Sequence, residues 1–312
     1  MNPLSALFGA GVDLRNALYD RGRLRVRRLP APVVSIGNLS LGGAGKTPFV
    51  IALGELLKAR GIEFDVLTRG YGRQTRGPAR VDPSGSTRQF GDEPLLIARR
   101  LGVPVFVGGR RHEAGVLAER SLQPRLHLLD DGFQHRQLAR DFDIVLLTPE
   151  DAQDRLLPVG RLRETLGALR RADAVVLTPG ASPDGLPISG KLLWRVRRSI
   201  AVEQAPPRPV AFCGIARPQR FFQELRDAGV QAVAEVHFRD HHAYTPADVA
   251  RLLKLKQEHA AGGFAATEKD AMNLGALAEL LQPLLRVRVI MELLEPQAAI
   301  DAMLSLIARR RL

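Results

Sequence analysis

One cysteine, Cys213, is all this chain has, so no disulfide forms within it and no cysteine-based metal cluster can be assembled. That usage fits a reducing compartment, and Cys213 reads as a small apolar residue on a strand. Aromatic side chains are scarce as well, at 5% of 312 residues. No basic-aromatic platform for stacking unpaired bases is present, so no nucleic-acid partner is expected. Runs of about 18 or more apolar residues are missing, so no transmembrane helix is read, and the N-terminus lacks the basic-then-apolar order of a signal peptide. Acidic residues are outnumbered, 33 against 45 Lys and Arg, leaving a net charge of +12. An excess of that size implies an anionic surface or substrate.

At the N-terminus Leu4, Leu7, Phe8, Gly11, Leu14 and Leu18 recur at helical spacing, followed by Arg21, Arg23, Arg25, Arg27 and Arg28. That order suits an amphipathic helix lying in a membrane interface, with its apolar face at the acyl boundary and arginines on headgroups. A helix packed on its own domain, followed by a basic solvated connector, fits the same residues.

The sharpest local signal is NLSLGGAGKTPF, Asn38 to Phe49. Gly42, Gly43 and Gly45, with Ala44 between them, free the backbone to curl so that successive N–H groups point into one anion-sized hollow. Lys46 can reach the outer phosphates of a nucleoside triphosphate, the Thr47 hydroxyl can ligate Mg²⁺, and a helix starting there presents its positive end to the phosphates. The flanks agree: Pro32 to Ile36 is a buried-strand candidate, and Thr47 to Arg60 is a helix with Pro48 in its first turn and Gly61 as its stop. The P-loop pattern places glycine six residues before the lysine, whereas this chain has Ser40 there and Gly37 further upstream.

Beyond the loop, the runs Phe64 to Thr68, Val103 to Val107, Leu126 to Asp130, Phe142 to Thr148 and Ala174 to Pro179 alternate with helix-like stretches. The fold class is therefore α/β: a P-loop NTPase-type, mostly parallel sheet flanked by helices. A turn-rich stretch, Gly180 to Gly190, marks a boundary, giving units 1–190 and 191–312, the second a smaller α/β domain. Helices are expected there near Pro218 to Ala228, Pro246 to His259 and Asp270 to Leu281.

In parallel sheets ligands sit beyond the carboxyl ends of the strands, so residues following each run are read for chemistry. Asp130 and Asp131 close one run and are placed to organise Mg²⁺. Asp92, in Gly-Asp-Glu-Pro, is first a helix cap, and a carboxylate fixed there is also preorganised to take a proton. Arg69 and Tyr71 in TRGYGR, Arg110 and Arg111 in GGRRHE, and Arg161 and Arg163 in LLPVGRLRE ring the same sheet edge and suit an anionic ligand. HFRDHHAYT holds an Asp-His pair able to assist a base, and TEKDAMN reads as a helix N-terminus capped by Thr267 or Asp270. The Asn-Lys-x-Asp order that selects guanine is absent, which counts against a GTPase switch.

Taken in order along nearly the whole chain, GNLSLGGAGKTP, TRGYGR, GDEP, DDGFQH, LLPVGRLRE, DHHAYT and TEKDA resemble the tetraacyldisaccharide 4′-kinase family, the lipid A 4′-kinases of Gram-negative bacteria. The resemblance implies an enzyme that uses ATP and Mg²⁺ to phosphorylate the 4′-hydroxyl of an acylated glucosamine disaccharide 1-phosphate. It implies work at the cytoplasmic face of the inner membrane, peripheral or monotopic among surface lipids, with no obligate protein partner. By motif it makes Asp92 the base, in a dyad with His241 of the second domain, His242 being the neighbouring alternative. It places Glu93 beside the metal, Gln134 and His135 along the site, and Tyr71, Arg69 and Arg111 toward substrate.

Overall fold

The structure, a computed structural model, describes residues 2–312. The chain opens with α1 (Pro3–Asp20), β1 (Val33–Asn38), α2 (Lys46–Ala59), β2 (Phe64–Thr68), β3 (Ala79–Arg80), α3 (Thr87–Phe90) and α4 (Asp92–Leu101). It continues through β4 (Val105–Val107), α5 (Arg111–Leu122), β5 (Leu126–Asp130), β6 (Phe142–Leu147), β7 (Ala174–Leu177) and β8 (Leu192–Ala201). The remainder is β9 (Val210–Cys213), α6 (Pro218–Asp227), β10 (Ala234–His237), α7 (Pro246–Glu258), β11 (Phe264–Thr267), α8 (Glu268–Leu274), β12 (Leu284–Leu293) and α9 (Pro296–Arg311).

These strands form one sheet in the order β10-β9-β11-β12-β8-β7-β6-β1-β5-β2-β4-β3. Its pairings are parallel except β3 with β4 and β8 with β12. Every residue of β1, β2, β5 and β6 is buried, as expected for strands covered on both faces. Gly37 in β1 answers a close approach: a Cβ there would lie 2.5 Å from the Phe133 Cβ in the turn after β5.

The sheet runs straight through the turn-rich stretch near residue 185. Leu192 to Arg195 of β8 pair in parallel with β7, and Val196 to Ala201 pair antiparallel with β12. The hydrophobic cores do divide. One gathers α2, α4 and the central strands with Phe49, Leu53 and Ile97. Two smaller ones cover the faces of β9 to β11, around Phe212 and Leu252 on one side and around Cys213 and Phe221 on the other. Met291, Leu293, Ile300, Met303 and Ile307, at the end of the chain, return to the first core.

One helix differs from expectation for a local reason. The third helix of the second half begins at Glu268, because Thr267 caps it by accepting the Asp270 N–H, and it ends at Leu274 ahead of Gly275, whose φ is 56°. Helix α1 packs one face on the segment after β6: Ser5 donates to the Leu156 carbonyl, Asn16 donates to Glu164, and Tyr19 is buried beneath Arg15 and Arg136. Its other face leaves Leu4, Leu7 and Leu14 more than 60% exposed, and Arg21, Arg23, Arg25, Arg27 and Arg28 are all exposed beside it.

Asp141 ties the two chain ends together. Its buried carboxylate accepts from the Val33 amide at 2.9 Å, Arg28 at 2.8 Å and Arg311 at 2.9 and 2.8 Å. Burial pushes its pKa up, but the Arg311 hydrogen bonds, the Val33 amide and Arg28 outweigh this and hold it below the usual carboxylate value. A depressed folded pKa stabilises above the unfolded value of about 3.9 and is lost as pH falls through the folded one. Asp141→Asn is therefore expected to cost about 2 kcal/mol at pH 7, with the gap to wild type narrowing below about pH 4; urea unfolding across that range measures it.

Candidate active site

The glycine loop joins β1 to α2. Gly42, Gly43 and Gly45 have φ of 63°, 73° and 86°, the left-handed region that glycine enters without strain. Ser40 has no such conformation; it is buried and bridges Leu162, so glycine is not required at that place. Lys46 Nζ donates to Asn38 Oδ1 at 2.8 Å and lies 3.4 Å from Asp131. Arg163 donates to the same two groups at 2.7 and 2.9 Å, and Gln134 donates to the Asn38 carbonyl at 3.0 Å. Asn38 thus sets the distance between the lysine and the neighbouring carboxylates. Ala44 and Thr47 are buried beside them.

Asp130 ends β5 with one oxygen accepting from Thr68 at 3.0 Å and the other buried without a partner. Burial first, then Glu93 and Asp131, push its pKa up to about 7. Asp131, in the left-handed conformation at φ 48°, is the opposite case: burial raises it, yet Lys46 and Arg163 hold it well below the usual range. An orphaned carboxylate oxygen among further carboxylates is chemistry suited to a hard cation. Among the described residues no group of three His, Cys, Asp or Glu forms a complete metal site. Mg²⁺ held by one or two carboxylates, a hydroxyl and phosphate oxygens needs none.

Asp92 is the first residue of α4, 5% exposed, and one carboxylate oxygen accepts the Glu93 amide at 2.9 Å. Its other oxygen lies 2.8 Å from His241 Nδ1, 3.3 Å from Lys269 Nζ and 3.4 Å from Asn273 Nδ2. Burial raises its pKa, but the His241 hydrogen bond and Lys269 prevail and keep it far below the ordinary value. His241 is lowered by burial and raised more by Asp92, for a net rise. Its backbone is left-handed at φ 56°, in the loop after β10. The adjacent His242 faces away, bonded to Asp248 at 3.0 Å and stacked on Phe238. Tyr71 lies over His241 with ring centroids 5.0 Å apart and is 58% exposed.

Arg111 opens α5 and is buried near Asp131, Asp130 and Arg69; burial brings its pKa down to about 10, Asp131 opposing and Arg69 adding. His135 is brought down to about 4 by burial and then by Arg111, Arg140, Arg15 and Arg69. Arg69 itself is exposed. These cations converge on the loops beside Asp130 and Asp131, where an anionic group of a ligand is favoured.

Between the two halves lies an open cleft lined by Gly42 to Thr47, Glu93, His241 and Lys269. Arg198, Arg217, Arg220 and Phe221 of the second half line it too. A Cβ on Gly42 would meet Ala216 at 2.8 Å and one on Gly43 would meet Arg217 at 2.8 Å, so the second half rests directly on the glycine loop.

Sequence reading left several of these residues without a role. Lys269 follows β11 directly, the place that strand-end reasoning examines, but its motif reads as a cap. Asn38 lies inside the glycine-loop stretch with nothing local to mark it. Arg198, Arg217, Arg220 and Asn273 come from distant segments that only the tertiary fold brings to the cleft.

A family model described as tetraacyldisaccharide-1-P 4′-kinase matches residues 1–308. The chain is 52% identical over 321 residues to the tetraacyldisaccharide 4′-kinase of Koribacter versatilis, with 100% of each covered. It is 39% identical over 260 residues to that of Aquifex aeolicus, covering 78% of this chain and 82% of the relative. Among solved structures, LpxK from Aquifex aeolicus crystallised in complex with ATP matches with a TM-score of 0.80 at 33% identity, covering 98% of this chain and 97% of that one.

Proposed function

Because the chain belongs to the tetraacyldisaccharide-1-P 4′-kinase family, we propose that it transfers the γ-phosphate of ATP to the 4′-hydroxyl of an acylated glucosamine disaccharide 1-phosphate, giving lipid IV-A for lipid A biosynthesis. The observation that carries this reading is that the phosphate-gripping loop at Lys46 and the carboxylate–imidazole pair Asp92–His241 line or border one cleft. A nucleotide switch needs only the first of these.

Asp92 accepts the hydroxyl proton while His241 holds its second oxygen, and Lys46 with the loop amides stabilises charge on the moving phosphoryl group. The Thr47 hydroxyl and the carboxylates of Asp130 and Asp131, with Glu93 alongside, are the groups that would hold Mg²⁺. Bound there, the ion supplies positive charge to the phosphate oxygens. Arg69, Tyr71 and Arg111 face the acceptor side, and Gln134 holds the loop through Asn38. Within the second unit, 191–312, the stretch between β8 and β12 is read as the part that closes over the substrates, since β12 and α9 pack on the first core. The test is transfer from γ-labelled ATP: label entering the glycolipid fraction supports the reading, and label appearing only as free phosphate overturns it.

We place the protein at the cytoplasmic face of the inner membrane through α1 and its arginines. No helix among the described residues is long and apolar enough to cross a bilayer. The exposed Leu4, Leu7 and Leu14 beside five exposed arginines support an interfacial seat. Replacing all three leucines by serine is expected to lower association with anionic-lipid vesicles by about tenfold or more in co-sedimentation, since each buried apolar side chain contributes about 1.5–3 kcal/mol at most. Unchanged sedimentation would remove α1 from the membrane contact.

A further inference from the structure

Lys269 occupies the first turn of α8, where the partial positive charge of the helix end disfavours a cation. Its position is nonetheless firmly built. Asp270, next in the chain, is fully buried and accepts from the Gly214 amide, the Tyr244 hydroxyl and Thr267, which fixes the turn. The lysine side chain is 15% exposed, with Nζ 3.3 Å from Asp92, 3.8 Å from Asp240 and 4.0 Å from Glu93. It also lies 3.4 Å from His241 Nε2. An ammonium only donates. A neutral His241 in this place turns its Nε2 lone pair to the ammonium and carries its ring proton on Nδ1, where Asp92 accepts it.

We infer that Lys269 is a positioning residue for phosphotransfer: it orients the His241 ring with Nδ1 on Asp92 and holds the Asp92 carboxylate in place beside the cleft. The inference rests on the kinase reading above. In the step it serves, the acceptor hydroxyl proton passes to Asp92 and the hydroxyl oxygen's electron pair forms the bond to the γ-phosphorus. The bond to the β–γ bridging oxygen breaks, and its electron pair leaves on ADP. Without Lys269 the carboxylates of Asp92 and Asp240 flank the imidazole on its two nitrogens, and nothing fixes which nitrogen carries the proton.

Lys269→Met removes the charge and keeps the length. With γ-labelled ATP and an acyl disaccharide 1-phosphate acceptor, kcat is expected to fall about 100-fold or more while KM for ATP changes less than about threefold, and Lys269→Arg is expected to regain about tenfold. ¹⁵N-histidine spectra, with the His241 signal assigned by His241→Asn, are expected to show the Nδ1–H tautomer in wild type and its loss in Lys269→Met. Wild-type turnover in Lys269→Met, a loss confined to KM for ATP, or an unchanged tautomer overturns the inference. So does an Nε2–H tautomer in the folded wild type, a result that stands even if Lys269→Met does not fold. Absence of transfer by the wild type refutes the kinase reading instead, and the tautomer still decides the placement of Lys269.

Discussion

Asp92→Asn is expected to lower kcat for phosphoryl transfer by about 10³-fold while leaving the dissociation constant for an ATP analogue within about twofold. The split follows from where the carboxylate sits. Asp92 meets His241, Lys269 and Asn273 and makes no contact with the glycine loop, so its loss removes an acceptor of protons and not a holder of phosphates. Asparagine preserves the shape and can still accept the Glu93 amide, but its amide nitrogen then faces His241, Lys269 and Asn273 and accepts from none of them. What it lacks is the capacity to become an acid. Rapid-mixing transfer of γ-label, set against calorimetric titration with a non-hydrolysable analogue, separates the two quantities. Equal losses in both would show that Asp92 serves nucleotide binding, and full retained turnover would remove it from the chemistry.

Lys46→Ala should act on both quantities at once, lowering kcat/KM for ATP by about 10³-fold or more, because an ammonium in a partly dry site stabilises the triphosphate and, more strongly, the charge that develops on transfer. Its present partners show why the fold should survive. Lys46 is one of two cations on Asp131 and one of two donors on Asn38 Oδ1, and Arg163 continues to serve both. The change in stability is therefore expected to stay within about 1 kcal/mol, readable as a shift in the urea midpoint. An unaltered rate and nucleotide affinity would take the loop out of the reaction.

Lys46 is legible in the sequence for a local physical reason, whereas Asp92 reads first as a helix cap and takes the base role only from the family resemblance. Glycine spacing, a following Lys-Thr and a strand–helix flank constrain one another within a dozen residues, and strands buried on both faces write themselves as near-continuous apolar runs, as Val33 to Ile36 and Phe142 to Leu147 do with only Ser35 and Asp143 interrupting. The division of labour within Asp130–Asp131 was not legible. Adjacent aspartates look alike in a sequence, and only the arrival of Arg163 and Lys46 at one of them sets their ionisation apart. Strand β8 escaped for another reason. KLLWRVRRSIA alternates apolar and charged positions across a stretch flanked by turn formers, so it looks like an edge, whereas it pairs on both sides. Lys269 escaped because a good capping sequence explains every residue of TEKDA except the one that leaves the helix for the cleft.

The antiparallel pair β8–β12 carries a mechanical consequence. The chain leaves the first core along one strand and comes back along its neighbour, so residues 202–283 hang from a two-ply ribbon. Such a strap flexes readily across its width and resists sliding lengthwise, because sliding breaks every rung between Val196 and Ala201 together. Arg217, His241 and Lys269 all belong to that suspended part, so the groups that meet the phosphate loop and Asp92 are carried by one continuous stretch of chain.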